Sequence, residues 1–179
     1  MPWRNGGGTT TEIARHPAGD EPFDWRLSVA DVAADGPFSR FDGIDRVIVL
    51  LSGAGMDLRG AGDAGGTVAL RPPFGRHAFA GEVAVDATLV DGPTTDLNLM
   101  WRRDRWTATV DWLEAPCRID VPAEPGSHLV VFVADGTARL PAGETLGHGD
   151  VVERSGSLIL SGDASLLVFG LRPVAAAHP

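Results

Sequence analysis

Polar side chains recur two residues apart at three places in the sequence, and this spacing puts both members of a pair on one face of a β-strand. The three pairs are Thr10 with Glu12, Arg26 with Ser28, and Asp96 with Asn98. If these faces line the interior of a β-barrel, they form a pocket with one cation, two carboxylates and several hydrogen-bonding groups. Arginine suits a planar carboxylate because its guanidinium donates two parallel hydrogen bonds. On this interpretation the three pairs form a pocket for a small acid.

The same pairs also fit the solvated face of a sheet, because polar faces of antiparallel sheets usually face water. In that case Arg26 forms only a salt bridge with Glu12 or Asp96. Met100 and Arg102 continue the face of Asp96 along its strand. Acid–base catalysis by Glu12 and Asp96 is a third alternative, since sequence spacing does not show whether two carboxylates meet. The residues alone leave these alternatives open.

Histidine is a common metal ligand in proteins, and the chain has five: His16, His77, His128, His148 and His178. No two lie at i, i+2 or i, i+4 spacing, and none has a nearby cysteine or carboxylate motif. We therefore predict that the protein binds no metal and no other cofactor. His77 is the histidine expected closest to the pocket, and the alternative is a loop histidine without a special role.

Motifs for phosphate binding and nucleophilic catalysis are incomplete. The glycines at 6–8 resemble a phosphate-cradling loop, but no Gly-Lys-Ser/Thr ending follows, and we interpret them as a tight turn. The sequence has no Gly-x-Ser-x-Gly elbow for a nucleophilic serine. Cys117 is the only cysteine, which excludes an intrachain disulfide, fits a reducing compartment and indicates a structural thiol.

The net charge of −9 disfavours binding to phosphate backbones and anionic membranes. A short basic run at 102–105 lies between two tryptophans, and we interpret it as a solvated turn with ion pairs rather than a nucleic-acid patch. The first residues lack the apolar core of a signal peptide, and no apolar run reaches the length of a membrane span. We therefore expect a cytoplasmic protein that binds neither nucleic acid nor membrane.

Short segments with strand periodicity must position these residues. Apolar and polar residues alternate over 25–30, 97–101 and 106–112, whereas 47–51 is continuously apolar and predicts a strand covered on both faces. Strand-plus-turn units of roughly 8 to 12 residues are typical of an all-β sandwich or barrel. The proline-rich segment 115–125 is the expected joint, which divides the chain into halves 1–114 and 115–179, packed as one compact unit.

Four ordered motifs resemble the HutD/Ves family. They are PWRNGGGTTTEI at 2–13, FDWRLSVA at 23–30, GPFSRFDGIDR at 36–46 and DLNLMWR at 96–102. The resemblance implies a bicupin, that is, two jelly-roll-type cupin β-barrels in one chain. It further implies a protein without demonstrated catalysis whose HutD branch moderates bacterial histidine utilisation by binding a small acidic metabolite such as formylglutamate or urocanate.

The resemblance also implies a set of pocket residues. Carried over position by position, they are Asn5, Thr10, Glu12, Arg26, Arg46, Asp96, Asn98 and Met100. Arg26 is expected to pair with the ligand carboxylate, and Asp96 and Asn98 are expected to orient the ligand. Together with His77 these residues form the predicted ligand-binding site, with no catalytic residue assigned.

Two other functions remain as alternatives to a binding protein. One is a metal-independent cupin enzyme, an isomerase or hydrolase that acts on a small carboxylic acid with Glu12 or Asp96 as base. The other is a protein-interaction module that acts through the surface of a barrel. A homodimer is expected only by analogy with other cupins.

Overall fold

A computed structural model describes residues 1–3, 6–19, 22–119 and 125–175. Its regular elements in these ranges are fifteen β-strands and one short 3-10 turn, so the prediction of an all-β protein is confirmed. The chain forms two compact units, Met1–Asp104 and Arg105–Pro179. No helix in the described part of the chain has the length and apolar character needed to cross a membrane.

The first unit contains nine strands in two antiparallel sheets. In chain order they are β1 (Gly8–His16), β2 (Trp25–Val32), β3 (Gly36–Pro37), β4 (Ile44–Ser52), β5 (Met56–Arg59), β6 (Thr67–Leu70), β7 (Arg76–Ala80), β8 (Asp86–Leu89) and β9 (Thr94–Arg102). The 3-10 turn, Asp63–Gly65, lies between β5 and β6. One sheet has the order β1-β2-β9-β4-β7, and the other has the order β3-β8-β5-β6. The strands predicted over 25–30, 47–51 and 97–101 are the three central strands of the larger sheet.

An apolar core joins the two sheets of the first unit. Ile48 and Leu50 of β4 are fully buried and pack with Met56, Leu58 and Leu70 of the smaller sheet. Val47 and Val49 of β4 point to the opposite face and are also buried, as expected for a continuously apolar strand. Because β4 and β9 pair in the middle of the sheet, the polar residues next to this core are held on a rigid surface.

The second unit contains the remaining six strands. They are β10 (Trp106–Glu114), β11 (Cys117–Ile119), β12 (His128–Arg139), β13 (Thr145–Gly147), β14 (Val151–Arg154) and β15 (Leu158–Pro173). The main order is β10-β15-β12-β13, with β11 paired to β15 and β14 paired to β12. Their inward side chains form an aliphatic core that includes Leu129, Val131, Leu160 and Leu166.

The first strand of the second unit lies earlier in the sequence than the proline-rich segment suggested. Strand β10 pairs with β15 over its whole length, from Trp106 opposite Pro173 to Glu114 opposite Ser165. The boundary between the units therefore falls in the turn at 103–105, between Asp104 and Arg105, whereas the proline-rich segment predicted a boundary after residue 114. A proline indicates where a strand ends, but it does not indicate which other strand that strand pairs with.

Candidate functional site

The register of the larger sheet brings the predicted polar residues of the first unit together. Across β2 and β9, Arg26 lies opposite Met100, Ser28 opposite Asn98, and Ala30 opposite Asp96. Alternate residues of a strand share a face, so these side chains all point to one side of the sheet. They line a cavity of about 630 Å³. The cavity is within the volume range of small-molecule sites.

The third strand of this surface is β4, which contributes a second arginine to the cavity. Arg46 lies opposite Met100 in the pairing of β4 with β9, and it lines the same cavity as Arg26. Further along β4 the same face carries Ile48 and Leu50, which belong to the apolar core. The cavity is therefore the polar end of a surface whose other end is packed against the smaller sheet.

Two irregular segments form the other walls of the cavity. Residues 1–3 lie along β1, where the Trp3 amide donates to the Gly8 carbonyl at 2.9 Å and the Trp3 indole donates to the Thr10 hydroxyl at 2.7 Å. Residues 37–41 lie between β3 and β4, and Phe38 meets Trp3 edge to face with 6.4 Å between ring centroids. The two segments thus contact each other through an aromatic pair at the cavity wall.

Arg26 is held by groups that carry no negative charge. Its guanidinium carbon lies 4.8 Å from the centroid of the Phe23 ring, and one terminal nitrogen donates to the Met100 sulfur at 3.1 Å. Its Nε is buried and has no hydrogen-bond partner among the described residues. Burial lowers the pKa of Arg26, an effect that the charge of Glu12 opposes and that of Arg15 reinforces. The guanidinium is therefore fixed in place but not neutralised.

Arg46 is more deeply buried, with a relative exposure of 5%. Its guanidinium carbon lies 5.2 Å from the ring centroids of both Phe38 and Phe79. One terminal nitrogen donates weakly to the Ser39 carbonyl at 3.4 Å, and the buried Nε has no hydrogen-bond partner in the described part of the chain. Burial lowers the pKa of Arg46 to about 10, although the charge of Asp96 opposes this change. Arg46 therefore remains a cation at neutral pH.

Asp96 is the buried acidic group of the cavity, with a relative exposure of 2%. Burial raises its pKa to about 7; the charge of Arg46 opposes this rise and that of Asp31 adds to it. Among the described residues, no basic group lies within the 4 Å of a salt bridge to this carboxylate. Asp96 therefore titrates near neutral pH beside two cations that it does not contact directly.

Asn98 adds an unsatisfied acceptor to the two unsatisfied arginine nitrogens. Its Oδ1 is buried without a hydrogen-bond partner within the described ranges, and its backbone carbonyl accepts a hydrogen bond of 3.4 Å from the hydroxyl of the fully buried Ser28. Buried polar atoms in native proteins are almost always hydrogen-bonded. Two donors and one acceptor without partners around one cavity therefore indicate a site suited to a polar ligand.

The structure places the predicted site residues in three groups. Those that line the cavity are Thr10, Arg26, Arg46, Asp96, Asn98 and Met100. Glu12 does not: it is exposed at the edge strand β1 and forms an ion pair of 3.8 Å with Arg15. His77 does not line it either, since its Nε2 is 2.8 Å from the Ala61 carbonyl. Asn5 lies outside the described residues.

Several aromatic residues of the site were not singled out by sequence reasoning. Phe23, Phe38 and Phe79 hold the two arginines, and Trp3 forms part of the wall. Phe23 and Phe38 are within the family-like motifs, but neither follows a periodic pattern that links it to an arginine. Among the described residues, no group of three or more histidine, cysteine, aspartate or glutamate side chains could hold a metal ion.

Comparison with known proteins shows a specific relationship. The HutD family model matches residues 1–168. An uncharacterized 21.2 kDa protein in the hutC 3' region of Pseudomonas putida is 41% identical over 122 residues, which are 66% of this chain and 62% of that protein. Protein Ves of Citrobacter koseri is 45% identical over 109 residues, which are 60% of this chain and 56% of that protein. The matched regions thus span less than two thirds of these curated relatives.

Solved structures extend the similarity over nearly the whole chain. HutD from Pseudomonas fluorescens SBW25 superposes with a TM-score of 0.83 at 34% identity, covering 98% of this chain and 94% of that one. A cupin 2 conserved barrel domain protein from Leptotrichia buccalis superposes with a TM-score of 0.58 at 10% identity, covering 92% of this chain and 89% of that one. The second likeness concerns the fold alone, and it identifies the all-β fold as cupin-like.

Proposed function

The chain belongs to the HutD family, and we propose that it binds a small organic acid whose carboxylate lies between Arg26 and Arg46. One observation carries this proposal. The half-buried guanidinium of Arg26 and the buried guanidinium of Arg46 face the same cavity, each with a buried Nε that has no hydrogen-bond partner among the residues that the structure describes. A carboxylate supplies the acceptors that both nitrogens lack, and charge-assisted hydrogen bonds of this kind are about twice as strong as neutral ones.

The electrostatics of the cavity support an anionic ligand. Within the described ranges, neither Arg26 nor Arg46 has a carboxylate within salt-bridge distance. Burial lowers the pKa of both groups because their charge is poorly solvated. An anion placed between them stabilises both cations, and the low dielectric of the cavity strengthens each interaction.

We propose a role in histidine utilisation for this binding activity. The Pseudomonas putida relative takes its name from the hutC 3' region, which supports the connection. The ligand is then a small acidic metabolite such as formylglutamate or urocanate, and binding it moderates the pathway. In the same proposal each unit is one cupin barrel, so that the chain is a bicupin whose ligand site lies in the first barrel.

Thermal shift measurements at pH 6.5 with N-formyl-L-glutamate, urocanate and histidine test the proposal. A ligand at 100 times its Kd stabilises the folded state by about 2.7 kcal/mol, so Tm should rise by several degrees with at least one acid. Arg26→Met and Arg46→Met should abolish the rise, whereas Arg59→Met at an exposed site of the first unit should keep it. No rise with any acid at millimolar concentration would contradict binding of this ligand class.

One observation favours a metal-independent enzyme as a second candidate. Burial holds the pKa of Asp96 at about 7, which suits a general base at neutral pH, and the cations beside it would stabilise an anionic intermediate. Turnover of a candidate acid that is lost in Asp96→Asn but kept in Glu12→Gln would support an enzyme. Binding without any turnover of these acids would favour the binding protein.

A further inference from the structure

We propose that Asp96 determines the charge form in which the cavity accepts an acid, because the acid anion binds together with one proton that Asp96 takes up from solvent. This inference rests on the proposed function, since it concerns the ligand of the same cavity. Asp96 is then a specificity-determining residue, because its protonated form offsets one negative charge that the ligand brings into the cavity, whereas its ionised form repels the ligand.

The Asp96 side chain is placed where few groups can solvate its charge. It lies in the middle strand of the three that form the cavity, between Ala30 of β2 and Leu50 of β4. Neither of these neighbours can hydrogen-bond to a carboxylate through its side chain. With 2% exposure, the carboxylate has little water to solvate its charge. Its ionised form therefore depends on the nearest cations.

Charged groups on the two neighbouring strands act on the Asp96 carboxyl. From β4, Arg46 favours the ionised carboxylate, and from β2, Asp31 disfavours it. Arg26, also on β2, lines the same cavity. Asp31 is itself engaged, since its carboxylate accepts hydrogen bonds from the Thr95 and Thr9 hydroxyls at 3.0 and 3.3 Å. The main support for a negative charge on Asp96 is therefore Arg46.

A bound ligand carboxylate competes with Asp96 for Arg46. A ligand carboxylate between the two arginines takes Arg46 as its own counter-ion and adds a negative charge beside Asp96. Two carboxylates that share one site cannot both ionise cheaply, so the pKa of the more buried group rises. Asp96 then binds a proton, and its hydroxyl can donate to an oxygen of the ligand. The net reaction is protein plus anion plus one proton, and no bond to carbon is made or broken.

Proton uptake can be measured directly by calorimetry. N-formyl-L-glutamate serves as the probe because its carboxyl groups do not titrate above pH 6. Titrations in two buffers of different ionisation enthalpy, Hepes and Tris, give the number of protons bound per ligand. The pKa of Asp96 in the ligand-free protein is about 7. We therefore expect each ligand to bind with uptake of about half a proton at pH 7 and nearly one proton at pH 8. The Kd should rise about tenfold per pH unit above pH 7.

Asp96→Asn is the decisive variant because an amide imitates the protonated acid in size and neutrality. Its Kd should be independent of pH between 6 and 8.5, where Arg46 stays charged. At pH 8 it should bind about tenfold more tightly than the wild type, with no proton uptake. Asp111→Asn, at an exposed position of β10 in the second unit, makes the same chemical change and should behave as the wild type does.

Each other outcome of these titrations contradicts either this inference or the proposed function. Binding by the wild type without proton uptake at pH 8 would overturn this inference and leave the proposed function intact. A folded Asp96→Asn protein that binds more weakly at every pH would show that Asp96 contacts the ligand as an anion, which also overturns it. No binding of N-formyl-L-glutamate, urocanate or histidine by either protein would contradict the proposed function and, with it, this inference.

Discussion

Arg26 and Arg46 remain charged inside a cavity because aromatic rings and a sulfur atom, rather than carboxylates, hold them. Arg46 lies between Phe38 and Phe79, and Arg26 lies over Phe23. Cation–π contacts of desolvated groups contribute up to about 2 kcal/mol and leave the positive charge unneutralised. An internal carboxylate in either position would have occupied the donors that a ligand needs. The choice of partners therefore preserves both the position and the charge of each guanidinium.

Asp96 should make the stability of the protein depend on pH in an unusual direction. Its pKa is raised from 3.8 to about 7 in the folded protein, so the folded state holds a proton that the unfolded state releases. Its favourable contribution is complete below about pH 4 and is lost as the pH rises to 7. Relative to Asp96→Asn, the wild type should lose about 3 kcal/mol of unfolding free energy between pH 5 and pH 8.

Urea denaturation of both proteins at several pH values measures this difference. Using the difference between the two proteins removes the contributions of all other titrating groups. Asp111→Asn should give a curve parallel to that of the wild type. Two parallel curves for the wild type and Asp96→Asn would mean that the Asp96 carboxyl titrates at an ordinary pKa, and they would remove the electrostatic basis of proton uptake.

Period-two spacing was enough to predict which side chains share a face, but not what surrounds them. Arg26 and Asp96 face the cavity because β2 and β9 pair without a register shift. Glu12 follows the same spacing and is exposed, because β1 is an edge strand with a β-bulge between Glu12 and Ala14. The aromatic partners come from separate segments, and only tertiary packing brings those segments to the arginines.

At the scale of elements, one glutamate fixes the wall of the cavity formed by residues 37–41. The side chain of Glu82 accepts hydrogen bonds from the Gly43 amide and the Arg103 guanidinium, while its backbone carbonyl accepts one from Arg40. Next to it, Gly81 approaches the Phe41 carbonyl so closely that an added Cβ would lie 2.5 Å from that oxygen. The segment before β4 is thus tied to the segment after β7.

Glu82→Gln should weaken this connection in a pH-dependent way. The hydrogen bond from Arg103, followed by that from Gly43, lowers the pKa of Glu82 from 4.5 to about 2. A carboxylate with a lowered pKa stabilises the folded state above pH 4.5, and this contribution is lost as the pH falls toward 2. The Tm of Glu82→Gln should therefore lie below that of the wild type at pH 7, and the gap should narrow below pH 4.5.

Scanning calorimetry at pH 7 and pH 3.5 distinguishes this contribution from a general loss of charge. Glu144→Gln, in an exposed turn of the second unit, is the matched control and should leave Tm unchanged at both values. An equal decrease in Tm at both pH values would show that Glu82 acts through its shape and not through its charge. The sequence does not predict the hydrogen bonds that Glu82 accepts, since Glu82 and Arg103 are far apart in the chain.

At the scale of the whole molecule, the four family-like motifs and the cavity fall in the same unit. The motifs lie between residues 2 and 102, within the unit Met1–Asp104, whereas the family match extends over residues 1–168. Polar residues that share a cavity are restricted in type and spacing, so they leave a recognisable pattern. The second unit has a core of leucine, valine and alanine, for which many combinations pack equally well. In that unit the sequence pattern therefore predicted the strand over 106–112, which is part of β10, but not the order of the strands in the sheet.

Because the cavity lies in one unit, ligand binding should protect backbone amides unevenly along the chain. Hydrogen–deuterium exchange with and without saturating N-formyl-L-glutamate at pH 6.5 reports on local opening. Slower exchange is expected in residues 37–41 and in the cavity strands β2, β4 and β9, because the ligand stabilises only conformations in which these segments surround it. Peptides from β12 and β15 should change less.

Arg46→Met at the same ligand concentration should show no protection in any segment, which controls for effects of the added acid on the solvent. Protection centred on the second unit, or protection that persists in Arg46→Met, would place the ligand elsewhere and contradict the assignment of the site to Arg26 and Arg46.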